Sequence, residues 1–268
     1  MKPKENLSPA RKAYLKNLRT NNILVWSLRI LILALFIFLW EILAKLNIID
    51  PFLFSSPSRI IKTIIQLANQ GELAKHVTTT LFETIIGFLT ATILGTIISM
   101  LLWFSLRLRN ILEPYIVVLN ALPKIALGPV IIIAFGAGIK SIIFMTILVT
   151  IIVTIISMLT GFIQTDTGKI FLLQSMGANK FQILTHLIIP NSIPTLISTL
   201  KVNVGLSWIG SIMGEYIVSR QGLGYLIVYG GQVLKLDLVM TSTVILCALA
   251  GLMYALVVIL ERKINKLL

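Results

Sequence analysis

Charged side chains at membrane depth in this sequence include Glu41, Glu83, Lys124, Lys201 and Glu215. In hydrocarbon each is costly unless paired, hydrogen-bonded or wetted, so each marks a candidate functional position. Lys124 and Glu215 are the most informative, because they adjoin Pro123 and Gly214. A lysine there could draw an anionic solute, with Glu215 as its counter-ion when the site is empty. The structural alternative is a plain interhelical pair, or a lysine that snorkels toward an interface. Asn203, Ser207 and Trp208 add polar and aromatic groups to the run that carries Glu215. Glu41 is expected near headgroups, and Lys201 as an internal packing partner.

Other chemistry finds little to work with. His76 and His186 are far apart, and the single cysteine, Cys247, excludes a disulfide framework or a cysteine-based metal site. No nucleophile–base pattern stands out. No glycine-rich loop ends in Gly-Lys-Ser/Thr, so the chain has no usual device for cradling nucleotide phosphates. The expectation is a chain without catalytic residues, bound metal or cofactor of its own.

The elements that must position these residues follow from composition. Of 268 residues, 57% are hydrophobic and 12% charged, about half the charged share of a soluble domain. Such a chain cannot cover itself with polar surface, which excludes a soluble globular enzyme. Six apolar runs are each long enough to cross a bilayer, at about 24–46, 77–104, 111–135, 139–163, 191–218 and 238–260. The fold class is therefore all-α and polytopic, with a basic segment over 1–22 and a membrane domain over 23–268. The net charge of +13 accompanies apolar runs and no polar domain, so the lipid bilayer is the expected partner and nucleic acid is not.

Basic residues in the connections set the orientation. With both ends inside, the cytoplasm receives Lys2, Lys4, Arg11, Lys12, Lys16, Arg19, Arg107, Arg109, Lys169, Lys180, Arg262, Lys263 and Lys266. The other face receives Lys45, Arg59, Lys62, Lys75, Lys140, Arg220 and Lys235. Ser8-Pro9 reads as the start of a helix lying on the inner surface, with a disordered basic tail as the alternative. Ser56-Pro57 starts another, whose Ile60, Ile61, Ile64, Ile65 and Ala68 share one face. Gly87, Ala91, Gly95 and Ser99 form a stripe for close helix packing, as do Gly210 and Gly214. Pro123, Gly128 and Pro129 interrupt the third span, either as a packed kink or as the border of a solute route.

The longest inner connection, 164–190, is the most distinctive segment. It reads as a helix, a break at Gly177, and a second helix stopped by Pro190, with Phe181, Leu184, Leu187 and Ile188 on its apolar side. This elbow resembles the EAA signature of ABC importer permeases: Glu-Ala-Ala, three residues, Gly, nine residues, Ile, any residue, Leu, Pro. Gly177 and Pro190 take the glycine and proline, Leu187 and Ile189 the aliphatic positions, and Ala178 the small residue after the glycine. The Glu-Ala-Ala positions hold Phe171, Leu172 and Leu173 instead. Asn120-Ala-Leu-Pro-Lys-Ile-Ala-Leu-Gly-Pro129, Phe135-Gly-Ala-Gly138, Gly205-Leu-Ser-Trp-Ile-Gly210, Gly214-Glu-Tyr216 and Gly222-Leu-Gly-Tyr-Leu226 resemble the sulfonate, taurine and nitrate branch of that family. The resemblance covers about 50–265.

The resemblance implies the type I permease fold and a homodimer in the bacterial inner membrane. It implies two ABC ATPase subunits that bind ATP and magnesium, and an extracytoplasmic substrate-binding protein. It implies that Gly177, Ala178, Asn179, Lys180, Phe181, Leu187 and Pro190 couple the chain to the ATPase. Lys124, Ser207, Trp208 and Glu215 are the candidates for the solute path, and the solute is expected to be small, anionic or a vitamin precursor. An ion-coupled carrier relaying protons or sodium through Glu41, Glu83 and Glu215 is the competing reading.

Overall fold

The computed structural model describes residues 9–266, which divide into two compact units that part between Lys62 and Thr63. In the first, α1 (Pro9–Lys45) is one unbroken helix of 37 residues. No proline or glycine follows Pro9 within it, so nothing ends the helix before the apolar run begins. The expected separate surface helix is thus replaced by a continuation of the first span. Ser8, expected as its cap, lies outside the described residues, as do Lys2 and Lys4.

A short turn and a longer helix follow α1. Asp50 accepts from the Phe52 amide at 2.8 Å and caps α2 (Pro51–Phe54). The Ser56 hydroxyl accepts from the Arg59 amide at 3.3 Å at the start of α3 (Pro57–Asn69), as its sequence predicts. Glu41 closes on the same helix start. Its carboxylate accepts from the Ser58 amide at 3.0 Å and the Ser58 hydroxyl at 2.7 Å, and Lys45 lies 3.1 Å away. A carboxylate at a helix N-terminus satisfies orphan amides and meets the positive end of the dipole. Glu41 is therefore a cap.

After the last residues of α3, the second unit continues with α4 (Glu72–Phe104) and α5 (Leu106–Ala121). The third expected span, 111–135, departs most from its apolar run. Pro123 pushes Leu122 into extended backbone (φ −66°, ψ 133°), so α5 ends at Ala121. A 3₁₀ turn over Lys124–Leu127 leads into α6 (Gly128–Phe135), and the two halves meet at 89°. Then follow α7 (Ile139–Ile163), α8 (Thr167–Ser175), α9 (Lys180–Ile183), α10 (Ile189–Asn191), α11 (Ile193–Val218), α12 (Leu223–Gln232) and α13 (Leu236–Ile264). Five helices are long and apolar enough to cross a membrane, six if the bent pair counts as one, and no strand occurs among the described residues.

The centre of this unit is where α4, α7 and α11 meet. The stripe Gly87, Ala91, Gly95 and Ser99 is buried against α7, where a Cβ on Gly95 would lie 2.7 Å from the Thr154 Cβ. Gly210 brings α11 onto α7, and a Cβ there would sit 2.6 Å from the Thr146 Cα. Small residues let backbones approach, which is the main source of attraction between helices in lipid. Hydrogen bonds add to it. Asn203 donates to Thr92 at 3.1 Å and Thr154 at 2.9 Å, joining all three helices, and Thr84 bonds Ser211 at 2.7 Å. Lys201 pairs with Glu261 of α13 at 2.7 Å, fulfilling its expected packing role.

Candidate functional site

The elbow between α7 and α11 is defined almost entirely by its own backbone. Asp166 accepts from the Gly168 amide at 2.7 Å and starts α8. The far end of α8 closes with two reversed bonds, Gly177 N–H to Gln174 O and Ala178 N–H to Leu173 O, both 2.9 Å. This pairing puts Gly177 in the left-handed region (φ +84°), where a Cβ is penalised. Two residues after Gly177, Asn179 opens α9 with a reciprocal box. Its side chain accepts from the Gln182 amide, and the Gln182 side chain accepts from the Asn179 amide, both at 2.8 Å. Leu173 and Ala178 pack on the cluster of Met158, Phe162, Ile183, Leu184 and Ile188, which fixes the angle between the arms.

Pro190 does not stop the second arm. The chain passes from α9 through a π turn over Leu184–Ile188 into α10, with Pro190 its second residue. In that wide turn the Ile189 amide reaches back five residues to Leu184 O, which opens the turn ahead of the proline ring. The arm ends instead at Ser192, before Pro194 in the first turn of α11. Asn191 donates to Thr165 at 3.3 Å across the mouth of the elbow, and Lys180 donates to the Phe104 carbonyl at 3.4 Å at the end of α4.

The expected apolar side also divides differently. Leu184 and Ile188 are buried and Leu187 is half-buried, but Phe181 is 64% exposed and Ile183 takes the inward position. Phe171, Leu172 and Met176 are also exposed, at 71%, 59% and 75%. Four large apolar side chains near Gly177 in sequence therefore stay mostly exposed, although the elbow has a core of its own.

The path candidates do not form one site. Lys124 sits half-buried in the 3₁₀ turn and donates to the Asn120 carbonyl at 3.0 Å. It makes no ion pair with Glu215 among the described residues. Ser207 is fully buried and bonds Val204 O at 3.0 Å, and Trp208 is 4% exposed within the core of α4, α11, α12 and α13. Glu215, 1% exposed, accepts from Thr80 at 2.7 Å and from the Gly224 amide at 2.5 Å. Leu223 N–H donates to Thr80 at 2.8 Å, and Gly222 N–H to His76 Nδ1 at 2.9 Å. A Cβ on Gly222 would overlap the Glu215 carboxyl, so this turn needs glycine.

Thr80, His76, Gly222 and Gly224 are the residues that sequence reasoning left out of this network. The only local signal was the glycine pair following Glu215. A cavity of about 240 Å³ opens elsewhere, between α4, α5 and α7, with Leu102, Arg109, Glu113, Ile155 and Thr160 in its walls. His186 bonds Gln182 O at 3.0 Å on the exposed elbow, and Cys247 is exposed on α13.

Long apolar helices joined by one stiffened elbow are the geometry of a multi-pass membrane protein. Comparison with known proteins makes the class specific. The family of binding-protein-dependent transport system inner membrane components matches residues 84–266, and the chain belongs to that family. It is 26% identical over 238 residues to the taurine transport system permease protein TauC of Escherichia coli, covering 87% of this chain and 86% of that protein. It is 30% identical over 187 residues to the formylaminopyrimidine transport permease protein ThiX of Halalkalibacterium halodurans, covering 70% and 74%. The fold matches the inward-facing MetNI methionine ABC transporter with a TM-score of 0.65 at 19% identity, over 73% of this chain and 97% of that one. This chain is a permease subunit of an ATP-binding-cassette importer, a system that works with an ATPase and a binding protein.

Proposed function

We propose that two copies of this chain form the membrane pore of the importer, and that the elbow is where each copy receives work from an ATPase subunit. ATP and magnesium are held by that partner, and this chain performs no hydrolysis. The observation that carries the reading is the pairing of a fully capped backbone with Phe171, Leu172, Met176 and Phe181 left exposed. A stiff frame transmits displacement, and apolar side chains seat it in a groove. Gly177 and Ala178 keep the bend tight, Asn179 and Lys180 hold its second arm, and Leu187 and Pro190 lead into α11. When the ATPases close on nucleotide, paired elbows would move together and rock the spans.

Both termini face the cytoplasm in this reading, with the elbow beside them. The surplus of basic residues on that side supports it. A cysteine replacing Arg220 should react with an impermeant reagent from outside and one replacing Lys180 should not; the opposite pattern would reverse the topology.

The solute is small, and anionic or a vitamin precursor, in keeping with the taurine and formylaminopyrimidine relatives. An external receptor supplies most of the selectivity. Of the path candidates, Lys124 is the one with access, on the bent third span. Ser207, Trp208 and Glu215 stand behind the wall and hold it in shape. The test is uptake by the Lys124→Ala variant: an anionic solute should enter several-fold more slowly, and equal flux would remove Lys124 from the path.

A further inference from the structure

The cavity between α4, α5 and α7 has no part in the elbow's frame or in the Glu215 network. It opens at the elbow end of the bundle. Leu102 lies near the end of α4, Ile163 is the last residue of α7, and Arg109 stands in the first turn of α5. The floor is the buried cluster of Leu102, Ile155 and Leu159, and the exposed Val117 and Ile163 stand at the rim. Two charged residues line the same cavity, Arg109 half-buried and Glu113 exposed, one turn apart on α5. Among the described residues neither of them forms an ion pair or a side-chain hydrogen bond.

From Ile155 to Ile163 the wall follows α7 for about 12 Å. The hydrocarbon of one leaflet is about 15 Å deep. An aliphatic groove of that length, open at its rim and charged toward the membrane surface, matches an amphiphile standing in the leaflet. A compact water-soluble ion would leave the aliphatic floor uncovered. The charges narrow the choice further. The Arg109 guanidinium is a fork suited to phosphate. Glu113 would repel a purely anionic headgroup and calls for a cationic donor. A primary ammonium offers three N–H groups, a quaternary one none. The Thr160 hydroxyl, in the same wall, gives its proton to Ile156 O at 2.7 Å, so its oxygen is left as a second acceptor. A pair between Arg109 and Glu113 themselves would be weak at this exposed edge, and a ligand carrying both counter-charges displaces it.

We propose that this groove binds one aminophospholipid from the leaflet on the elbow's side. Its phosphate sits on Arg109, its primary ammonium on Glu113 and the Thr160 oxygen, and one acyl chain lies along Leu102, Ile155 and Leu159. The lipid ties α5 to α4 and α7, and so steadies the half of the third span that leads to the 89° bend at Lys124. The assignment holds whichever way the chain faces the membrane, because it names the leaflet by the elbow.

Native mass spectrometry tests this on the assembled transporter, taken from nanodiscs of equal parts phosphatidylethanolamine, phosphatidylcholine and phosphatidylglycerol and stripped with detergent. The wild type should retain phosphatidylethanolamine in preference to both other lipids. Removing one charged partner, by Arg109→Gln or Glu113→Gln, should weaken that retention about tenfold. Glu113→Gln should also erase the advantage over phosphatidylglycerol, because only the ammonium reads that residue. If either variant fails to assemble, Thr160→Trp fills the groove from its exposed edge and should lower retention as much. Equal retention of the three lipids by the wild type, a preference unmoved by these substitutions, or displacement of the lipid by free taurine would each overturn the proposal. So would a disulfide between two copies carrying Val117→Cys, which would give the groove to a second copy of this chain.

Discussion

The two ends of the α11 helix solve opposite problems. At the elbow, backbone caps hold the shape: two reversed bonds at Gly177 and Ala178, then the Asn179–Gln182 box. The side chains left over, Phe171, Leu172, Met176 and Phe181, face outward. At the other end, side chains hold the shape. Glu215, Thr80 and His76 turn inward to bind the amides of Gly222, Leu223 and Gly224. Nothing in that network is offered to a partner. A surface made to dock must be stiff without using its side chains, whereas a turn buried inside a membrane bundle must have its backbone amides satisfied by side chains.

The comparison can be broken most visibly at Gly177. A valine there meets open space, since nothing lies within 4 Å of a Cβ at that position, but it must adopt φ +84°. That conformation costs a branched residue about 1–2 kcal/mol or more. The expected outcome is more than about tenfold lower uptake with ATPase activity retained and membrane insertion intact. Normal uptake by Gly177→Val would show that the bend carries no coupling.

Gly222→Ala sharpens the other side. Its Cβ would overlap the Glu215 carboxyl, so the turn must move or the carboxyl must leave its donors. The expected loss is about 1–3 kcal/mol of stability, read as a lower melting temperature of the purified permease. An unchanged melting temperature would mean the turn is not fastened there. Elbow function should suffer only through that loss of folded protein.

The smallest effect belongs to the middle. Asn203→Ala removes bonds to Thr92 and Thr154, each worth about 0.6 kcal/mol in a membrane bundle. A drop near the sum of the two is expected in unfolding measurements, without change in coupling. A much larger drop would show that Asn203 holds more than the hydrogen bonds assigned to it.

Much of this architecture was legible in the residues. Five of the long apolar runs became long helices, Ser56 capped α3, and Gly177 broke the elbow, because each depends on neighbours within a turn or two. Pro123 was legible as an interruption, but the right angle it produces was not. Pro190 misled for a similar reason: a missing amide says that a helix is disturbed there, and a π turn absorbed the disturbance. Glu215 was flagged as a charged residue at membrane depth, yet its partner was misjudged. Thr80 is 135 positions away, and only the packing of α4 on α11 brings it there. Phe181 and Ile183 exchanged faces because the arm is too short for helical periodicity to discriminate between them.

Coupling through the elbow requires that its exposed side chains meet an ATPase. Cysteines at Met176 and Phe181, paired one at a time with cysteines around the groove of the ATPase subunit, measure this in the assembled transporter. Efficient disulfide crosslinking from both positions, lost when the elbow is disrupted by Gly177→Val, is the predicted result. Absence of any crosslink, with the same cysteines freely labelled by water-soluble reagents in the working complex, would contradict it.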